Sequence, residues 1–145
     1  MTQRRLAREC ALETLYRMEL VGDDPEATIE ELLARKNPSQ EAENYLRRLV
    51  RAVREHQSEV DRVLRWHLHR WRLERLTVLD RTILRMAGVE LLFFEDVPPK
   101  AAINEAVELA KKFGDDRAGA FVNGVLDGVY REAASKKSQK DTCRG

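Results

Sequence analysis

Three arginines near the start of the chain, in Arg4-Arg5-Leu6-Ala7-Arg8, carry the chemistry most readily named from residue type and spacing. On a helix turning about 100° per residue, Arg4, Arg5 and Arg8 share a stripe with Leu12 and Leu15, flanked by Ala11 and Tyr16. The stripe changes from apolar to cationic towards the N-terminus. Guanidinium groups in a first helical turn oppose the helix dipole, so local stability does not account for them. Two readings stay open. The arginines pair with carboxylates elsewhere in the fold, or they await an anionic ligand such as phosphate.

Other side chains offer weaker chemistry. Phe121 opens Phe121-Val122-Asn123-Gly124 after Gly119, and its ring either stacks an unpaired base or joins Val125 and Val129 in a core. Asn123 and Gly124 are read as serving close helix packing or a side-chain hydrogen bond. Arg81 and Arg85 form an i, i+4 like-charge pair that is mildly unfavourable unless used. Arg47, Arg51 and Arg54 lie opposite Leu46, Leu49, Val50 and Val53 and read as a solvated face. His56, His67 and His69 lack the spacing and nearby cysteines of a zinc site, so no metal is expected. Nor is there a phosphate-cradling glycine loop or a nucleophile elbow, and neither an enzyme nor a cofactor is expected.

The elements that position these residues all read as helices. The first runs from about Thr2 to Val21, stopped by Gly22. Asp24-Pro25 caps a second, to about Lys36. After Asn37-Pro38-Ser39 a third runs to about Gln57. Ser58 with Asp61 suggests a capping box for a fourth, to about Trp71. Thr77 with Asp80 opens a fifth, to about Phe94. Pro98-Pro99 precedes a sixth, with an apolar stripe of Ile103, Ala106, Val107, Ala110 and Phe113. Gly114 ends it, and Asp115-Asp116 caps a seventh, to about Ala133. The expected organisation is one compact all-α domain of seven helices over residues 1–133, with a disordered basic tail over 134–145.

Charged residues make up 35% of the 145, yet the net charge is only +1, which describes a solvated surface and not a polycation that binds nucleic acid by bulk charge. Arginine outnumbers lysine by 19 to 7, a bias that phosphate binding or genomic base composition would equally produce. No apolar run nears the roughly 20 residues of a membrane span, and no apolar signal core follows Met1. Cys10 and Cys143 give no disulfide framework, so a cytoplasmic location is expected.

Several segments, taken in order, resemble the NusB family of bacterial transcription-antitermination factors. They are Arg4-Arg5-Leu6-Ala7-Arg8-Glu9-Cys10, the two amphipathic blocks around Pro98-Pro99, and Phe121-Val122-Asn123-Gly124-Val125-Leu126-Asp127. The resemblance spans roughly residues 3 to 132. It implies two three-helix sub-bundles sharing an interface, with one extra helix. It also implies binding of boxA-type single-stranded RNA together with the ribosomal protein NusE, tethering leader RNA to elongating RNA polymerase during ribosomal RNA synthesis. Arg4, Arg5 and Arg8 match the family's RNA-binding arginines, with Leu6 at a position usually basic. Tyr16, Arg81, Arg85 and Phe121 are the further RNA candidates, and Asp80, Glu90 and Glu95 those for the protein partner. A homodimer is left open. Two alternatives stand beside this. One is the RNA-binding domain of a ribosomal RNA cytosine methyltransferase, which needs a Rossmann-like domain downstream of Gly145. The other is a protein-binding scaffold with structural arginines.

Overall fold

Local side-chain caps set most helix starts. In the computed structural model, which describes the backbone of residues 2–144 and the side chains of residues 2–137, α1 (Gln3–Val21) begins where the Thr2 hydroxyl accepts the Arg5 N–H at 3.1 Å. Gly22 closes it in the left-handed region at φ 74°, which a side chain would strain. Asp24 caps α2 (Pro25–Lys36) through the Ala27 N–H at 2.9 Å, with Pro25 supplying a pre-set φ. Ser39 caps α3 (Gln40–His67), and Thr77 caps α4 (Val78–Phe93) through the Asp80 N–H at 3.1 Å. Pro98-Pro99 opens α5 (Pro99–Phe113), and Asp115 accepts the Ala118 N–H at 2.8 Å at the head of α6 (Asp116–Arg144). A short 3-10 turn, Leu73–Arg75, lies between α3 and α4.

Ser58 does not start a helix. α3 passes through it unbroken for 28 residues, so the described residues form six α-helices and a 3-10 turn instead of seven α-helices. Leu46, Leu49, Val50 and Val53 before Ser58 and Val60 and Leu64 after it are all buried. Buried apolar residues on both sides, with half-buried His56 and Gln57 between them and no glycine or proline in the helix, outweigh a capping signature that acts only if the backbone turns away. On α5 the buried residues are Ala102, Ile103, Ala106, Leu109 and Ala110. Val107 is half-buried, and Phe113, the last residue of the helix, is 49% exposed. α6 runs on through residues 134–144, past the end expected at Ala133, and residues 134–137 are exposed. Lys140 and Cys143 lie outside the described side chains.

α1, α2 and α3 form one group and α4, α5 and α6 the other. α4 joins them, touching α1, α3, α5 and α6. A single apolar cluster runs through both groups, from Ala7 and Leu12 through Leu49, Leu84 and Val89 to Leu126. The junction is tight: a Cβ on Gly88 of α4 would sit 2.8 Å from a methyl of Val60 on α3. By contrast Asn123 and Gly124, expected to serve close packing or a side-chain hydrogen bond, are exposed on α6, and open space surrounds Gly124. Among the described residues no helix is long and apolar enough to cross a membrane.

Candidate nucleic-acid interface

The arginines of α1 divide by their partners. Arg8 is buried and donates to Glu90 of α4 at 2.8, 3.1 and 3.3 Å, while the Tyr45 hydroxyl of α3 donates to the same carboxylate. Burial opposes the Arg8 charge, but the hydrogen bonds and charge of Glu90 outweigh it and leave Arg8 more firmly protonated than usual. Burial, then the Glu90 charge, raises the Tyr45 phenol. Arg8 therefore belongs to the core and not to an RNA face. Glu90, expected at the partner surface, is only 2% exposed and cannot reach one.

Arg5 stays at the surface and pairs with Glu105 of α5 at 2.8 and 3.0 Å, a contact that lowers the Glu105 carboxyl. Arg4 is the least committed. Its guanidinium lies 4.4 Å over the Tyr45 ring and only 4.0 Å from Asp96. Arg48 of α3 takes Asp96 at 2.6 and 2.9 Å and lies 3.8 Å over Phe94. That hydrogen-bonded clamp holds the Asp96 carboxyl at about 2. The entry end of α1 is thus a layer of guanidiniums and rings, of which Tyr45, Arg48, Phe94 and Asp96 were not among the sequence candidates. No local pattern marks them, because their contacts span three helices.

Arg81 and Arg85 also look inward. Arg85 holds the buried Asp61 at 2.9 and 3.0 Å, and Arg81 holds Glu19 at 2.8 Å. Arg81 further donates to the carbonyls of Leu73 and Leu76 at 3.2 and 3.0 Å, clamping the α3–α4 connection. Their i, i+4 repulsion is relieved by Glu19, which both arginines share. Both guanidiniums, expected to meet RNA or the protein partner, are half-buried and committed to carboxylates within the fold.

Tyr16 lines a groove of about 440 Å³ with Leu6, Cys10, Leu32, Leu79 and Phe113, where α1, α2 and α5 meet the head of α4. Lys112 bridges its rim to Glu9 at 2.6 Å. Asp80 stands next to Leu79, half-buried, its carboxyl raised by burial against the opposing Thr77 hydroxyl, with Asp115 nearby adding to the rise. Glu95 is exposed in the turn before Pro98. Phe121 is half-buried, with its ring 6.2 Å from that of Trp71 in an edge-to-face pair. Of the two alternatives for Phe121, the packing one is met, since its ring lies against the apolar core.

His67 pairs with Glu132 at 2.9 Å, as a satisfied histidine does. Among the described residues no three His, Cys, Asp or Glu side chains gather where a metal ion could sit.

The NusB family model matches residues 5–131. The transcription antitermination protein NusB of Symbiobacterium thermophilum is 41% identical over 136 residues, covering 88% of this chain and 89% of that protein. A crystal structure of NusB from T. maritima superposes with a TM-score of 0.83 at 38% identity, covering 90% of this chain and 92% of that one. A crystal structure of the antitermination factors NusB and NusE in complex with dsRNA superposes with a TM-score of 0.82 at 34% identity, covering 91% and 98%.

Proposed function

The chain belongs to the NusB family, and on that premise we propose that it is a transcription antitermination factor that binds boxA-type RNA together with the ribosomal protein NusE. The observation that carries this reading is its likeness, over nearly its whole described length, to a NusB solved with NusE and RNA. Two regions, one near each end of α3, support the reading. Arg4 and Arg5 offer guanidiniums at the surface, held by Tyr45 and Glu105, and Phe121 offers a ring edge for a base. Tyr16, in its groove beside Leu79, lines the route between α1 and the head of α4. Asp80 and Glu95 remain candidates for the protein partner.

The mechanism is scaffolding. RNA and the ribosomal protein each bind weakly, and sharing one surface raises the effective concentration of each for the other, so that leader RNA stays tethered to elongating RNA polymerase. A titration with boxA-like RNA, with and without the ribosomal protein, tests it. Each partner should tighten binding of the other by the same factor. Failure to bind either one overturns the assignment.

A further inference from the structure

Both tryptophans of the chain stand in the open at the α3–α4 junction: Trp66 is 74% exposed and Trp71 64%. Around them runs Arg62-Val63-Leu64-Arg65-Trp66-His67-Leu68-His69-Arg70-Trp71-Arg72-Leu73-Glu74-Arg75. Most arginines of α1, α3 and α4 have carboxylate partners, as Arg8, Arg47, Arg48, Arg81 and Arg85 do. Here Arg65 takes Glu74, the single acid of the stretch, at 2.6 Å. Arg62, Arg70, Arg72 and Arg75 are exposed, and none makes an ion pair among the described residues.

The connection is also fixed in place. Leu68 and Leu73 are buried, the Trp71 N–H donates to the Leu68 carbonyl at 2.6 Å, and Arg81 grips the carbonyls of Leu73 and Leu76. A large indole held out of the core on a braced turn, among unneutralised guanidiniums, matches the needs of single-stranded nucleic acid. Such a ligand wants flat faces for its bases and bidentate donors for its phosphates. Trp71 touches Phe121, so the two aromatic sites are continuous.

We propose that the α3–α4 connection is a second RNA contact surface, in which Trp71 stacks a base and Arg70 and Arg72 take phosphates, lengthening the RNA path beyond Phe121. The proposal rests on the RNA-binding reading above but can fail without it. Because the chain has only two tryptophans, Trp66→Phe leaves Trp71 as the sole indole reporter. Titrating that variant with single-stranded boxA-like RNA of about 12 nucleotides should quench its emission as RNA saturates. Trp71→Ala should weaken binding of the same RNA by roughly 5- to 150-fold, and Trp71→Phe should restore most of it. Arg70→Ser with Arg72→Ser should flatten the log–log salt dependence by about 1.4, two phosphates at about 0.7 each. Thermal unfolding should be unchanged in all of these variants. Unquenched emission with wild-type affinity in Trp71→Ala overturns the proposal and leaves RNA binding elsewhere intact. Emission that responds to the ribosomal protein and not to RNA overturns it in favour of a protein contact. No RNA binding by the unaltered protein overturns the founding reading as well.

Discussion

The Arg8 guanidinium and the Glu90 carboxylate, 82 positions apart in sequence, lock together inside the core at 2.8 Å, with Tyr45 closing the third side. One ion pair therefore ties the start of α1 to the end of α4. Its side chains are 6% and 2% exposed. Removing one member strands a buried charge, whereas removing both does not.

Arg8→Ala or Glu90→Ala should therefore cost about 3–5 kcal/mol of stability. Arg8→Met combined with Glu90→Leu should cost much less than the sum of the two single changes. Urea unfolding of all four proteins checks this. Arg8→Ala with wild-type stability and weakened RNA binding would return Arg8 to the RNA face.

Arg4 and Arg5 are the arginines of α1 left for phosphate. Arg4→Ala with Arg5→Ala should flatten the salt dependence of RNA binding by about 1.4, with the fold intact. A full titration across salt concentrations measures it, and an unchanged slope removes both from the interface.

Acid should loosen the entry end of α1 in a defined window. The Arg48 hydrogen bonds hold the Asp96 carboxyl at about 2, against about 3.9 in an unfolded chain. A depressed folded value means that the contribution is fully present above about pH 4 and is lost as pH falls through about 2. Melting temperatures measured from pH 5 downward should fall less steeply in Asp96→Asn than in the unaltered protein. Identical slopes would show that the clamp does not couple to folding.

Two glycines should respond in opposite directions to alanine. Gly88→Ala meets a Val60 methyl at 2.8 Å between two packed helices, and overpacking there should cost about 1–3 kcal/mol. Adding Val60→Ala should recover part of that loss. Gly124→Ala enters open space on an exposed stretch of α6 and should gain about 0.5–1 kcal/mol. Chemical denaturation resolves both, and any loss of RNA affinity in Gly124→Ala would mean that the RNA backbone approaches that spot.

What the sequence determined by itself was whatever acts within about one helical turn. Thr2, Asp24 and Thr77 cap where their types and spacing place them, and Gly22 stops α1, because each bond closes over three or four residues. The ordered segments from Arg4 to Asp127 were likewise enough for the family. What only the tertiary structure decided was the fate of charges and rings whose partners lie far along the chain. Arg8 and Arg4 share a helical stripe, yet one is neutralised in the core by Glu90 and the other lies at the surface over Tyr45. Ser58 carried a valid local capping signal that the burial of Val53 before it and of Val60 and Leu64 after it overrode. The alternation of arginine and tryptophan from Arg65 to Arg72 was visible in the letters. That Trp71 stands outside the core, beside Phe121, follows only from how α3, α4 and α6 converge.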